Sequence, residues 1–223
     1  MAAKKRTTTK KAKPAKRSAP KRAPKKKAAA KPRRKKSVPR PVSNLALELD
    51  GMAYVRKRIR EIPDFPQPGV LFRDIMPLLA DPKGFHIVLD AIAERFVGEH
   101  IDAVVGIESR GFIFGGALAA RLNASFVAVR KSGKLPYRTD KVSYSLEYGE
   151  AELEMHRDSL KEGAQVLIVD DLLATGGTAH AAAELVDRQG AHVAAFAFVI
   201  ELESLGGRAV LEPAPVVSIL SYP

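Results

Sequence analysis

Residues 168–180 read IVDDLLATGGTAH. An apolar run ends in two adjacent aspartates, and a stretch of small residues, glycines and threonines follows. The two halves ask for different chemistry. Ionised carboxylates only accept hydrogen bonds, so Asp170 and Asp171 suit hydroxyl donors and repel phosphate oxygens. Ala174, Thr175, Gly176, Gly177 and Thr178 carry no bulky side chain. In a turn from strand to helix they would expose backbone N–H groups and a helix N-terminus to an anion, with two threonine hydroxyls as further donors. A phosphorylated sugar satisfies both halves, its vicinal hydroxyls on the aspartates and its phosphate on the loop. The bland alternative is a tight Gly-Gly turn with two exposed aspartates. The stretch has no Walker A lysine and is not a GxGxxG fingerprint, which argues against a P-loop kinase and a dinucleotide site.

Other candidates are weaker when taken alone. Arg130, Lys131 and Lys134 follow a strand end and could meet an anion, or could be a solvated charge cluster. Ser109 in GIESRG stands one residue away from a GxSxG nucleophile elbow. The five histidines, at 86, 100, 156, 180 and 192, show no HExxH or clustered ligand spacing, so a metal site built by the protein is not expected.

These residues need elements to hold them. Residues 45–61 place Leu45, Leu49, Met52, Val55 and Ile59 on one face at helical spacing, with Pro63 as the stop. Residues 64–82 are punctuated by Pro and Gly and read as loop and short strand. A second helix is expected over 82–98, capped by Asp81, with Phe85, Val88, Leu89, Ile92 and Phe96 inward. IDAVVGI (101–107), ASFVAV (124–129), QVLIV (165–169), HVAAFAFVI (192–200) and VVSIL (216–220) are apolar strands. Helices are expected at 112–122 and 178–189, the latter ended by Gly190. Residues 130–160 form a long polar excursion that then alternates, as a hairpin does. Continuous apolar strands alternating with helices describe an α/β fold with a mostly parallel central sheet covered on both faces. Ligands in such sheets bind at the carboxyl ends of the strands.

The chain has 223 residues, 37 of them Lys or Arg and 25 Asp or Glu. The charge is unevenly spread. Residues 1–40 hold 19 Lys or Arg and no acid, which leaves 18 basic and 25 acidic residues in 41–223. The sequence divides accordingly into a basic tail, 1–41, and a mildly acidic body, 42–223. The tail is Lys, Arg, Ala, Pro, Ser and Thr with almost nothing to bury, and its composition predicts disorder. It reads as a polyelectrolyte arm that would neutralise nucleic-acid phosphates without sequence preference; a solvated run with no partner and a transit peptide are the alternatives. No run approaches a membrane span and no secretory segment is expected at the start. The absence of cysteine fits a reducing cytosol.

VDDLLATGGTA (169–179) resembles the phosphoribosyl-pyrophosphate signature of the type I phosphoribosyltransferases, and its LLATGGT ending is similar to that of the adenine-specific enzymes. DFPQPGVLFRDI (64–75), GIESRGFIFG (106–115), RKSGKLP (130–136) and SYSLEYG (143–149) match the same family in order. The resemblance covers roughly 45–223; the tail has no counterpart. It implies the type I fold with a flexible hood loop, a homodimer, Mg²⁺ carried mainly by substrate, and conversion of adenine and phosphoribosyl pyrophosphate to AMP and pyrophosphate. Carried over residue by residue, Asp170 and Asp171 would hold the ribose hydroxyls and 174–178 the 5′-phosphate. Ser109 and Arg110 would meet pyrophosphate, after a cis Glu108–Ser109 peptide. Arg130, Lys131 and Lys134 would reach pyrophosphate, partly across the dimer. Leu71 and Arg73 would offer main-chain groups to adenine, with Phe72 against its face. Glu147 and Tyr148 would sit on the hood, Glu147 relaying a proton; on its own, Glu147 reads as a surface residue. The alternatives are a phosphoribosyltransferase for xanthine or guanine, and a regulator that senses the sugar pyrophosphate.

Overall fold

The computed structural model describes residues 45–145 and 150–223, all within the compact unit Ser37–Pro223. The tail expectation and the assignments to Glu147 and Tyr148 fall outside the described residues. The chain opens with α1 (Leu45–Arg56), β1 (Arg60–Pro63), β2 (Leu71–Asp74), α2 (Met76–Leu79) and α3 (Pro82–Glu94). It continues through β3 (Ala103–Ile107), α4 (Gly111–Leu122), β4 (Ser125–Lys131), β5 (Thr139–Ser145) and β6 (Glu150–His156). It ends with β7 (Gln165–Leu173), α5 (Gly177–Arg188), β8 (His192–Leu202), a 3-10 turn, α6 (Gly207–Val210) and β9 (Val216–Tyr222).

The helix expected over 45–61 is shorter. It stops at Arg56, and residues 60–63 pair antiparallel with β2 in the register Arg60↔Asp74 to Pro63↔Leu71. Ile59 is buried all the same. Pairing with β2 satisfies backbone groups that one more helical turn would have satisfied internally, and tertiary context outweighs local propensity. The second helix begins as its sequence indicates: the Asp81 carboxylate accepts from the Lys83 and Gly84 N–H groups at 3.0 and 3.3 Å. Asp81 also receives the Arg58 guanidinium and the Tyr54 hydroxyl, which hold its pKa down at about 2.

Among the described residues, seven strands form one sheet in the order β5-β6-β4-β3-β7-β8-β9. The five strands from β4 to β9 are parallel, and β5–β6 is an antiparallel hairpin joined to β4 through Arg130↔Glu154. Successive residues of the central strands serve opposite faces. Val104, Leu167 and Val169 pack with Ile92 of α3 and Phe114 and Leu118 of α4. Val105 and Ile168 pack with Ala182, Leu185 and Val186 of α5. Both faces are covered, which is why the strands read as unbroken apolar runs.

Candidate active site

β3 is central and pairs with both β4 and β7. From β3 the chain passes through α4 to β4 on one side; from β7 it passes through α5 to β8 on the other. The connections therefore diverge between β3 and β7, and a crevice opens at the carboxyl ends of those strands. The segments that follow them, 108–110 and 174–176, line it. A cavity of about 610 Å³ is bordered by Ser109, Arg110, Lys131, Tyr144, Glu152 and Asp171 among others. A smaller one of about 200 Å³ lies along 172–179. The two share Arg110, Asp170, Asp171 and Thr178. The larger suits a nucleotide-sized ligand, and the smaller has the scale of a phosphate.

Asp170 and Asp171 are the sixth and seventh residues of β7, so the strand runs further than its apolar stretch. The Asp171 N–H donates to Asp170 Oδ1 at 2.8 Å, and Arg110 Nε lies 3.1 Å from Asp171 Oδ2. Burial raises the pKa of both carboxyls. Asp170 stands well above its ordinary value because the Asp171 charge adds to burial. Asp171 is raised by burial and pulled back by Arg110. Both carboxyls would gain from hydroxyl donors that restore hydrogen bonds to the ionised form.

The next turn is shaped for an anion. Gly176 has φ of +84°, which glycine adopts without strain. It is the N-cap of α5, no side chain caps that helix, and the helix's first turn borders the smaller cavity. Thr178 Oγ1 lies 3.4 Å from the Tyr144 hydroxyl. Opposite, the Glu108–Ser109 peptide is cis, as the sequence resemblance implied, and Arg110 is the uncapped N-cap of α4. Two helix N-termini thus converge on one crevice.

The basic cluster divides. Lys131 borders the larger cavity, whereas Arg130 and Lys134 border neither. The Arg130 guanidinium donates to both Glu108 oxygens at 3.1 and 3.2 Å and to the Lys134 carbonyl at 3.0 Å. On the far side, Leu71, Phe72 and Arg73 lie on β2, whose second edge has no strand neighbour among the described residues. The Phe72 ring is 6.0 Å from the Arg110 guanidinium, which sets it beside the crevice without bordering either cavity. The Arg73 side chain turns away, ion-paired to Glu61 and 3.5 Å over the Tyr222 ring.

Residues 74–211 match the family described as the phosphoribosyl transferase domain. An adenine phosphoribosyltransferase of Sorangium cellulosum is 66% identical over 176 residues, covering 77% of this chain and 88% of the relative. That of Jannaschia sp. is 56% identical, covering 75% and 95%. The chain belongs to the adenine phosphoribosyltransferase family. The crystal structure of the Rhodothermus marinus enzyme superposes with a TM-score of 0.75 at 48% identity, covering 78% of this chain and 99% of that one. The Saccharomyces cerevisiae enzyme, complexed with an imino-altritol bisphosphate and adenine, gives 0.74 at 41%, covering 77% and 99%.

Within this phosphoribosyltransferase frame, several supporting residues escape a reading of the sequence. Glu108 braces the turn after β4, also accepting from the Lys131 N–H at 3.1 Å. Buried Glu154 accepts from the Lys134 and Leu135 N–H groups at 2.7 and 2.8 Å. Tyr144 and Ala151, paired across β5 and β6, border the larger cavity. The Lys-rich stretch before it is paired internally: Lys141 Nζ lies 3.0 Å from Glu152, and Arg157 Nε 2.8 Å from Asp140. Alternation late in 130–160 pointed to a hairpin; nothing local pointed to Glu108 or Glu154.

Proposed function

We propose that this chain transfers the phosphoribosyl group from phosphoribosyl pyrophosphate to adenine, giving AMP and pyrophosphate. The observation that carries the reading is the crevice between β3 and β7, where the buried Asp171, the half-buried Asp170 and an uncapped helix N-terminus adjoin. In this reading Asp170 and Asp171 accept from the ribose hydroxyls, and 174–178 hold the 5′-phosphate. Ser109, Arg110 and Lys131 receive the pyrophosphate, and their donors oppose the negative charge that gathers there as the C1′–O bond breaks. Arg130 acts through Glu108 to hold Lys131 in place. Main-chain groups of Leu71 and Arg73 read the adenine edge, with Phe72 against the ring. Adenine nitrogen forms the new bond to C1′, and Glu147 on the hood takes up the proton that the base releases. Closure of the hood with Tyr148 keeps water from the activated sugar.

Mg²⁺ belongs to this reading as a companion of the pyrophosphate. Among the described residues no group of three or more His, Cys, Asp or Glu is arranged to hold an ion. When bound it offsets charge on the leaving group. A homodimer is part of the same proposal: Ile113 and Phe126 leave apolar surface exposed, and Lys134 is assigned to the partner's pyrophosphate. Residues 1–41 form a separate arm for sequence-independent contact with nucleic-acid phosphates. A cytosolic site of action suits the cysteine-free composition, and no helix of the described residues is long and apolar enough to cross a membrane.

Initial rates with adenine, hypoxanthine, guanine and xanthine at saturating phosphoribosyl pyrophosphate and Mg²⁺ test the function. Turnover with adenine alone is expected. Preference for an oxopurine would reassign the base, and no turnover with any purine would overturn the enzyme reading in favour of a sensor.

A further inference from the structure

The loop from Ala174 to Gly176 rests on backbone from another part of the chain. A Cβ on Gly207 would stand 2.1 Å from the Ala174 carbonyl oxygen and 2.9 Å from the Gly176 nitrogen. A Cβ on Gly176 would stand 2.6 Å from the Gly207 oxygen. Main chain meets main chain here, so the position of Gly207 sets how far the loop can fall back.

Gly207 is itself held by its neighbour. Arg208 Nε donates to Glu201 Oε1 at 2.9 Å and Nη1 to the Val216 carbonyl at 2.9 Å. Nη2 reaches Glu201 Oε2 and, at 3.3 Å, Ser218 Oγ. Glu201 is buried on β8, opposite Leu173 on one side and Ser221 on the other. Leu173 is the residue before Ala174. Hydrogen bonds from Arg208 keep the Glu201 carboxyl below its ordinary pKa despite burial. One guanidinium therefore ties α6 to the end of β8, beside the end of β7, and to the first residues of β9. Arg208 borders neither cavity, and Glu201 does not either.

We propose that Arg208 and Glu201 are positioning residues for the sugar phosphate: their ion pair presses Gly207 against 174–176 and so fixes the loop amides that receive the 5′-phosphate. The inference rests on the reading of 174–178 as the phosphate loop. The 5′-phosphate is remote from the reacting C1′, so loosening its cradle weakens ground state and transition state alike. Such a loss raises KM and spares kcat. Adenine is held by β2, which Arg208 does not touch.

Steady-state kinetics of the full chain, varying each substrate in turn with Mg²⁺ present, test this. Arg208→Ala should raise KM for phosphoribosyl pyrophosphate roughly tenfold, as displaced supports of a site do. KM for adenine and kcat should stay within about twofold. Arg208→Lys, which keeps charge but loses the two-pronged fit, should fall between. An unchanged KM for phosphoribosyl pyrophosphate in Arg208→Ala overturns the proposal, as does a parallel fall in kcat with both KM values raised. If Arg208→Ala does not fold, Arg208→Lys decides by the same split. Thr178→Val serves as reference. If it leaves that KM unchanged, the phosphate-loop reading fails and the inference with it; if it raises KM while the Arg208 variants do not, the inference alone fails.

Discussion

Replacing Glu108 by alanine removes the brace between the end of β3 and the turn after β4. The carboxylate accepts three hydrogen bonds, two from Arg130 and one from the Lys131 N–H, at 3.1 to 3.2 Å. The Glu108 side chain is 17% exposed and that of Arg130 30%, so the pair is neither fully buried nor a surface contact. Buried pairs cost several kcal/mol to break and exposed ones almost nothing, which puts this loss at about 2 kcal/mol. For a body of this size that corresponds to a fall in Tm of about 4–8 °C. Arg130 also holds Glu108's pKa below its ordinary value near 4.5. A lowered carboxylate pKa contributes stability that is complete above the unfolded value and disappears as pH falls through the folded one. The Tm gap between wild type and Glu108→Ala should therefore be constant from about pH 6 to 8 and close below about pH 4.5. KM for phosphoribosyl pyrophosphate should rise severalfold, because Lys131 loses its support. Differential scanning calorimetry across pH, with initial rates at neutral pH, measures both effects. A Tm gap that widens on acidification, or an unchanged Tm, would refute the reasoning.

Asp170→Asn keeps the oxygen that accepts from the Asp171 N–H but removes a charge that burial and Asp171 disfavour. A raised folded pKa penalises the ionised protein at higher pH, so the variant should be more stable than wild type at pH 8. The difference should vanish as pH falls through the raised value toward the ordinary one near 3.8. Its KM for phosphoribosyl pyrophosphate should rise on the order of tenfold, since charged acceptors hold hydroxyls more strongly than amides; a variant less stable at pH 8 would contradict the assignment. Tyr222→Leu keeps apolar bulk but removes the ring face beneath Arg73 and Arg56, at 3.5 and 4.5 Å. KM for adenine should rise about two- to tenfold while Tyr222→Phe behaves as wild type, as loss of a cation–π contact dictates; a larger effect on phosphoribosyl pyrophosphate would disprove the link to β2. Removal of residues 1–41 should abolish retention on DNA at low salt and leave turnover unchanged; equal retention by the truncated chain would exclude the arm as the cause.

Much of this architecture is legible along the chain because the groups that act together are adjacent in it. Asp170, Asp171 and the 174–178 loop fall within nine residues, and their types alone imply separate hydroxyl and phosphate partners. The strands are legible because burial on both faces leaves only apolar residues. Where α1 stops is not, since Ile59 is buried whether residues 57–61 are helix or strand, and only the pairing with β2 decides. Arg130 illustrates the other limit. Its charge suits pyrophosphate, and nothing local shows that its guanidinium meets Glu108, 22 residues away, or that the cross-strand register sets it opposite Glu154. Gly207 meets a loop 31 to 33 residues earlier, and nothing in its local sequence says what its backbone approaches.

The crevice holds an apparent contradiction, acids beside an anion cradle, and the geometry resolves it through asymmetry. Asp171 has Arg110 at 3.1 Å, whereas Asp170 accepts from the neutral N–H of the next residue and feels Arg110 less than it feels burial and the Asp171 charge. Arg110 in turn borders both cavities, so one guanidinium offsets the acids and faces the incoming ligand. A bare anion entering the crevice competes with Asp171 for that guanidinium and leaves the carboxyls less compensated. A phosphorylated sugar brings hydroxyl donors to the carboxyls as its phosphate reaches the helix N-terminus, so each end of the ligand lowers the electrostatic cost of the other. Selectivity for a sugar phosphate over free phosphate follows from the acids as much as from the loop, and it is strongest where the acids are fully ionised. Acidification through the raised Asp170 value protonates that acceptor, and the preference for the sugar weakens with it.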